Sequence, residues 1–146
     1  MVRMAGMILF ILYLCALTYF LFFSEKYGRT MADREYSYNL VPFLEIKRFW
    51  NHREMLGFMA VFTNLAGNVL AFLPFGAILP VISRRTRGIF RIMLLSFEFS
   101  LLVECIQLVS KVGSFDVDDL LLNTLGGVMG YVFFKLCDLV RRWIYG

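Results

Sequence analysis

The sequence predicts an all-α, polytopic integral membrane protein with four transmembrane helices, built as a single membrane domain over residues 1–146. Hydrophobic residues make up 60% of the chain and charged residues only 18%, and the mean hydropathy is +0.69. Four apolar runs also match the about 20 residues that a helix needs to cross a bilayer. These runs cover about residues 4–23, 57–82, 88–110 and 119–140. The composition excludes an ordinary soluble domain.

The first apolar run extends from Met4 to Phe23, with Arg3 before it and Glu25 after it. A secretory signal peptide shares the positive start and the apolar run, and it is the competing interpretation. The run is long, however, and no small-x-small cleavage site follows Phe23. We therefore predict that it is retained as a transmembrane helix.

The long polar segment 24–56 carries six basic and five acidic residues. Because the residue before a proline is pushed out of the helical region, Leu40-Val-Pro-Phe43 is predicted to form an extended or turn element, followed by a short helix over Leu44–Asn51. Helical spacing then brings three aromatic or aliphatic residues and one arginine to one side: Ile46, Phe49, Trp50 and Arg53. This pattern suits an interfacial or re-entrant segment on the outer face. A loop packed on the bundle explains the same residues equally well.

Prolines and small residues shape the predicted helices. Pro74 and Pro80 interrupt the second run, and a kink or a helix end is expected at Pro74. Gly126 and Gly130 form a GxxxG pattern, which favours close helix packing. The cysteines fall inside apolar runs without the spacing of a metal site or a disulfide framework, so they are predicted to be small packing residues. They are Cys15, Cys105 and Cys137.

Basic residues predict the orientation in the membrane. Four arginines lie in the connection between the second and third runs and at the start of the third run, which marks this side as cytoplasmic: Arg84, Arg85, Arg87 and Arg91. With four spans, both termini are then cytoplasmic, and residues 24–56 and 111–119 face outward. The net charge of +4 gathers near the ends of the apolar runs, where anionic lipids account for it. Nucleic acid is therefore not expected as a partner.

Polar side chains inside the spans are predicted to converge near the outer boundary. A carboxylate such as Glu104 within a span costs about 2.5–3.5 kcal/mol, so it should face the interior and meet amide or water partners. The amides that lie within reach are those of Asn64, Asn68, Gln107 and Asn123. Two interpretations stay open: packing contacts worth around 0.6 kcal/mol a pair, or an outward-facing pocket. Glu98 lies about 240° behind Glu104 and closer to mid-membrane, and the sequence assigns it no partner.

The acidic turn before the fourth run has two interpretations. Asp116 can cap the helix, with Asp119 three residues later, because acids near a helix N-terminus are favoured. Alternatively, Asp116, Asp118 and Asp119 beside Glu104 can hold Mg²⁺ or Ca²⁺, which require several oxygens. Capping explains one or two of the acids without any cofactor and is preferred. An EF-hand is excluded because Leu121 stands where its loop needs glycine.

Four ordered motifs resemble those of the VanZ-like family of membrane proteins. They are Asn39-Leu-Val-Pro-Phe43, the stretch from Asn64 to Gly76, Glu104-Cys-Ile-Gln107, and the stretch from Phe115 to Gly127. The resemblance covers about residues 36–131. It implies a four-helix protein of the bacterial cytoplasmic membrane and, for the namesake of the family, a contribution to teicoplanin resistance. Family members often carry an arginine where this chain has Ser114, and Lys111 is the candidate to replace its charge.

Two functional hypotheses follow. In the first, the protein is not an enzyme, and an outward-facing polar pocket binds an amphiphile: a lipid headgroup, a cell-wall precursor or a lipoglycopeptide. Its predicted ligand-binding residues are Asn39, Asn64, Asn68, Glu104, Gln107, Asp116, Asp119 and Asn123. In the second, a membrane enzyme acts on a lipid phosphate or a related headgroup, with Glu104 as general base and a divalent cation on Asp116, Asp118 and Asp119. Against it, the only histidine, His52, lies in the polar segment. The sequence leaves the oligomeric state open.

Overall fold

The computed structural model describes residues 2–23 and 36–145. Four of its helices are long and apolar enough to cross a membrane, which confirms the predicted four-span membrane protein. Residues 24–35 of the polar segment lie outside the described residues. The elements, in chain order, are α1 (Val2–Phe23), β1 (Tyr38–Asn39), α2 (Leu44–Asn51), α3 (Arg53–Leu56), α4 (Phe58–Ile82), a 3₁₀ turn (Arg84–Thr86), α5 (Ile89–Val109), β2 (Phe115–Asp116) and α6 (Val117–Tyr145).

The last helix, α6, is longer than the sequence predicts: it begins at Val117 and continues to Tyr145. At the end of the apolar run, Asp138 pairs with Arg141 and Arg142 at N–O distances of 2.5 and 3.0 Å. Pairs spaced by three or four residues support a helix, and arginines near a helix C-terminus complement its dipole. The helix therefore continues past the end of its apolar face.

Helices α4 and α6 form the largest contact in the bundle, with α1 packed on α4 and α5 on α6. A Cβ added at Gly126 or Gly130 would overlap the carbonyl oxygen of Val69 or Leu73 on α4. Gly76 meets the backbone of α6 in the same way. The two helices thus pack backbone against backbone, which confirms the packing role predicted for the GxxxG pattern.

Helix α4 continues through Pro74 and Pro80. Of the two alternatives predicted at Pro74, the helix end does not occur and the kink stays a prediction. Proline leaves carbonyls of the preceding turn short of donors, and neighbouring groups must replace them in a membrane. The hydroxyl of Tyr13 on α1 donates to the carbonyl of Ala71 at 2.8 Å. The guanidinium of Arg87 donates to the carbonyl of Pro80 at 3.0 Å. These contacts satisfy a carbonyl next to the one that Pro74 leaves without a donor and a carbonyl in the last turn of α4.

An aromatic cluster joins three of the spanning helices in the middle of the bundle. Phe75 of α4 stacks on Phe99 of α5, with ring centroids 4.9 Å apart. Phe72 contacts both rings, and Phe10 of α1 reaches Phe75 at 5.8 Å. Such offset and tilted ring pairs add about 0.5–1.5 kcal/mol each beyond the apolar area they bury. The cluster fixes the relative positions of α1, α4 and α5.

The cysteines do not have the packing role that the sequence predicts. All three are free thiols with exposed side chains: Cys15, Cys105 and Cys137. They lie on the outer surface of long apolar helices, where a small, weakly polar side chain is tolerated against lipid. The prediction failed because apolar neighbours in sequence do not tell which face of a helix is buried.

The segment before α4 has the turn and the short helix that the sequence predicts. Leu44 N–H donates to the carbonyl of Val41 at 3.3 Å and closes a turn through Pro42 and Phe43. Helix α2 has the predicted bounds, with Trp50 exposed and stacked on the guanidinium of Arg53 at 5.3 Å. Whether the segment is re-entrant or interfacial stays a prediction.

Two short strands pair in parallel, with Tyr38 opposite Phe115 and Asn39 opposite Asp116. Helix α5 ends just before β2 in a Schellman motif, in which Val112 N–H donates to the carbonyl of Gln107 at 3.1 Å. The left-handed residue of the motif is Lys111, with φ 54°, where glycine is usual. We call the region formed by β1, β2, α2 and the first turn of α6 the acidic end of the bundle.

Candidate functional site

Asp118 holds the N-terminus of α2. Its side chain is 1% exposed, and its carboxylate accepts backbone N–H groups from Phe43 at 2.5 Å, Glu45 at 2.9 Å and Ile46 at 3.1 Å. These are N–H groups at the start of a helix, which have no acceptor within the helix itself. One buried carboxylate thus caps a helix that lies more than 70 residues earlier in the chain.

The capped residue has an unusual backbone. Phe43 is the N-cap residue of α2 and has φ 65° and ψ 10°, in the left-handed region. With Pro42 before it, this is the geometry of a type II turn, whose third position favours glycine. A bulky residue there costs about 1–3 kcal/mol and persists only when its surroundings impose it. The hydrogen bond from Phe43 N–H to Asp118 provides that constraint.

Sequence reasoning missed this role of Asp118, although a signal was present. A helix predicted to start at Leu44 has Phe43 at its N-cap, and phenylalanine has no side-chain oxygen to accept an N–H. An acceptor must then come from elsewhere in the chain. Of the three acids in the turn, Asp116 and Asp119 were predicted to stabilise the N-terminus of their own helix, and Asp118 had no predicted role in capping.

Asp116 connects α6 to β1 and to α5. Its Oδ1 accepts the N–H of Asp118 at 2.8 Å and the side-chain amide of Asn39 at 3.1 Å. The first of these bonds confirms the predicted helix cap. Burial raises the pKa of the Asp116 carboxyl above its usual range, although both hydrogen bonds lower it. The folded protein therefore holds the proton of Asp116 more tightly than the unfolded chain does. The resulting stabilisation is fully present below the ordinary pKa of an aspartate, and it is lost as the pH rises through the raised pKa of the folded state.

Glu104 is buried as predicted, at 2% exposed, but its partner differs from the prediction. Its Oε2 accepts the backbone N–H of Asp116 at 3.0 Å, in place of the expected side-chain amides. The prediction was wrong because strand β2 brings its own backbone donors to the end of α5. A backbone N–H held in a strand is already oriented, so it loses less side-chain entropy than an amide side chain would.

The predicted amides have different positions. Asn68 of α4 donates to Asp119 at 2.5 Å, and both side chains are half-buried. Asn64, one turn earlier, is exposed and makes no hydrogen bond within residues 2–23 and 36–145. Gln107 is 3.5 Å from the carbonyl of Leu21, far from ideal hydrogen-bond length. The members of the predicted set that are not buried are Asn39, Asn64, Asn68, Gln107 and Asp119. Of these, Asn64 lies one turn from the Asn68–Asp119 pair.

A second polar pair lies deeper, between α5 and α6. The amide of Asn123 donates to Ser100 at 2.9 Å, and both side chains are buried. Ser96, one turn away on α5, packs against Gly127. Among the described residues, Ser96 Oγ and Asn123 Oδ1 are buried without a hydrogen-bond partner. These serines were not predicted as partners, because serine is small and common on packed membrane helices.

Within the described residues, no group of three or more His, Cys, Asp or Glu side chains is arranged to hold a metal ion. Asp118 uses both oxygens on α2, Asp116 accepts two N–H groups, and Asp119 accepts Asn68. The acidic end therefore uses its carboxylates to join segments of the chain.

A family model for VanZ/LLP1 proteins matches residues 10–138. The chain belongs to the VanZ/LLP1 family. It is similar to Protein VanZ of Enterococcus faecium, with 30% identity over 129 residues that cover 87% of this chain and 71% of that protein. No solved structure shows significant similarity. The resemblance seen in the four sequence motifs is thereby confirmed.

In this VanZ-family chain, the four motifs meet in space. The motif from Phe115 to Gly127 makes hydrogen bonds to each of the other three. Its partners are Asn39 and Phe43 in the first motif, Asn68 in the second and Glu104 in the third. At the family's arginine position, Ser114 is half-buried, and the ammonium of nearby Lys111 lies 4.6 Å from the ring centroid of Tyr36. The suggestion that Lys111 replaces the arginine charge stays a prediction.

The bond from Asp116 N–H to Glu104 predicts how substitutions at Glu104 behave. Glu104→Gln keeps an acceptor oxygen, so we expect little change in thermal stability. Glu104→Leu leaves a buried N–H without an acceptor, at a cost of about 1–3 kcal/mol. Thermal unfolding in lipid nanodiscs, with hydrogen exchange at Asp116, measures both effects. Equal loss in the two variants would mean that the negative charge, and not the hydrogen bond, is what matters.

Proposed function

We propose that this VanZ-family protein binds the polar headgroup of an amphiphile at the acidic end, on the outer side of a bacterial cytoplasmic membrane, and so contributes to teicoplanin resistance. The observation that supports this proposal most is the position of Asn64. Its side-chain amide is exposed, makes no hydrogen bond within the described residues, and lies one turn from the Asn68–Asp119 pair. The proposal includes the predicted topology, with both termini cytoplasmic.

In this proposal, fewer residues contact the ligand than the sequence predicts. Asn39, Asp116 and Glu104 bond one another and Asp118 holds α2, so these residues keep the frame rigid. Preorganised frames lower the ordering cost of binding. Among the residues that are not buried, the neighbouring Asn64, Asn68 and Asp119 would orient the headgroup.

The chemistry of these groups indicates the ligand class. A carboxylate accepts hydrogen bonds, and amides both donate and accept them. The combination suits a headgroup rich in hydroxyl, amide or amine donors, such as the sugar of a cell-wall precursor or a lipoglycopeptide. Exposed apolar side chains of the turn beside α2 would contact the hydrocarbon part: Leu40, Val41, Phe43 and Leu44.

The test is teicoplanin susceptibility in a sensitive bacterial host that expresses the chain. We expect Asn64→Leu and Asn68→Ala to lower resistance toward that of the empty vector at equal membrane expression. Binding of teicoplanin to the protein in nanodiscs should weaken by about 5- to 10-fold for each variant, as expected for one lost hydrogen bond. Phe62→Leu, on an exposed face of the same helix, is the matched control and should keep full resistance.

The contrary result is equally clear. If Asn64→Leu and Asn68→Ala both retain resistance and binding at wild-type expression, the side-chain amides of Asn64 and Asn68 do not bind the ligand. If resistance falls while teicoplanin binding is unchanged, the ligand is another amphiphile, and binding of extracted cell-wall lipid precursors is measured next.

A further inference from the structure

Four arginines lie close together where α4 is joined to α5, in the 3₁₀ turn Arg84–Thr86 and just after it. We call residues 84–91 the arginine turn. The sequence has no acidic residue from position 55 to position 97, so no counter-charge lies nearby along the chain. All four arginine side chains are exposed: Arg84, Arg85, Arg87 and Arg91.

Two of the four arginines hold the turn in place. Arg87 donates to the carbonyl of Pro80 at 3.0 Å, and its guanidinium lies 5.5 Å from the ring centroid of Phe134 on α6. Arg91 donates to the carbonyl of Arg85. These contacts connect the turn to the end of α4 and to α6, so its backbone is ordered before any ligand arrives.

The side chains of Arg84 and Arg85 have no such structural role. They make no hydrogen bond or ion pair with any part of the chain that the structure describes. The carboxylate in the last part of α6 belongs to Asp138, and it already pairs with Arg141 and Arg142. Two neighbouring guanidinium groups are therefore available to bind an anion from outside the chain.

The position of the arginine turn fits the phosphate layer of a membrane. The spans on either side of it end at Ile82 and begin again at Ile89, so the turn lies at the edge of the hydrocarbon core. Headgroups extend the core of about 30 Å to about 40–45 Å, which places lipid phosphates at this depth. A guanidinium group presents its donors in a planar fork that matches the oxygens of a phosphate.

We propose that Arg84 and Arg85 bind the phosphodiester headgroup of an anionic phospholipid, such as phosphatidylglycerol. The site lies at the N-terminal end of α5, whereas the acidic end follows the C-terminal end of that helix. The proposal is therefore independent of the proposed function. Charge complementarity favours a lipid, since each basic residue near an anionic membrane surface strengthens binding by about fivefold. The ordered turn lowers the entropic cost of binding.

Thermal unfolding in the presence of lipid tests the proposal. The purified protein in detergent micelles is heated after addition of phosphatidylglycerol, phosphatidylcholine or inorganic phosphate. A ligand that binds the folded state raises the unfolding temperature. We expect phosphatidylglycerol to raise it more than either of the other two additions. If phosphatidylglycerol has no greater effect than phosphatidylcholine, or if inorganic phosphate has the same effect, the lipid proposal is overturned.

Two double variants assign the effect to the arginine turn. Arg84→Gln/Arg85→Gln should weaken phosphatidylglycerol binding about 25-fold, measured by native mass spectrometry. The matched control, Arg141→Gln/Arg142→Gln, removes the same charge from exposed arginines that already pair with Asp138, and it should bind nearly as tightly as the parent. Unfolding in phosphatidylcholine verifies that both variants are folded. Unchanged binding in the first variant, or equal weakening in both, overturns the proposal.

Discussion

Asp118→Ala is expected to release α2 from the bundle while the four spanning helices stay folded. Three backbone N–H groups, of Phe43, Glu45 and Ile46, lose their acceptor at once. A buried N–H without an acceptor costs about 1–3 kcal/mol, so the free energy of opening α2 should fall by roughly 3–5 kcal/mol. Hydrogen exchange of peptides covering residues 41–52, in nanodiscs, should accelerate by at least about a hundredfold.

Two further variants make the result specific. Asp118→Asn keeps one acceptor oxygen but loses the charge, so its exchange rates should be intermediate. Asp138→Ala removes a carboxylate of the same helix that pairs with exposed arginines, and α2 should stay as protected as in the parent. If peptides of α4 and α5 also exchange faster in Asp118→Ala, the fold itself has been lost. If 41–52 keeps its protection, the carboxylate is not the anchor.

Gly130→Ala is expected to destabilise the whole bundle, whereas the same change at Gly67 should not. An added Cβ at Gly130 would overlap the carbonyl of Leu73, and backbone cannot move away as a flexible side chain can. At Gly67 nothing lies within 4 Å of the added atom. Forcing α4 and α6 apart should cost about 3 kcal/mol or more, while alanine in place of glycine gains roughly 0.5–1 kcal/mol of helix propensity at the open position.

The measurement is thermal unfolding of the purified protein in one detergent, together with the yield in membranes. Gly130→Ala should lower the unfolding temperature and the yield, and Gly67→Ala should leave both equal or higher. Because both variants add one methyl group to a glycine of a spanning helix, the size and the hydrophobicity of the substitution are matched. Equal behaviour of the two would contradict the backbone-to-backbone contact between α4 and α6.

Much of the architecture was predictable from residue patterns. Four apolar runs define the four helices, because a segment of that length satisfies its backbone in lipid only as a helix. The turn before Leu44 and the cap at Asp116 were also predictable, since proline restricts its neighbour and a short acid accepts nearby N–H groups. These are local effects, settled within a few residues along the chain.

The partners of the polar side chains were not predictable in the same way. Amides were expected around Glu104, but a backbone N–H from β2 is there instead. A mere two-residue strand pair, between residues 77 positions apart, sets this arrangement. Short strands carry almost no periodic signal, so neither the pairing nor its consequence for Asn39 can be read from the sequence. The packing role predicted for the cysteines was wrong for a related reason, because apolar neighbours in sequence do not tell which face of a helix is buried.

By itself, the sequence determined the class of the protein, the number of spans, the turn at Pro42 and the family. Only the tertiary structure decided that Asp118 caps a helix from another segment and that Glu104 accepts the backbone N–H of Asp116. It also decided that the side chains of Asn64 and Glu98 are exposed on the surface of the bundle. The physical reason lies in the range of the interactions. Hydrophobic length and proline geometry act within one segment, whereas each carboxylate chooses among many donors, and the packing of α4 against α6 decides which donors come within 3 Å.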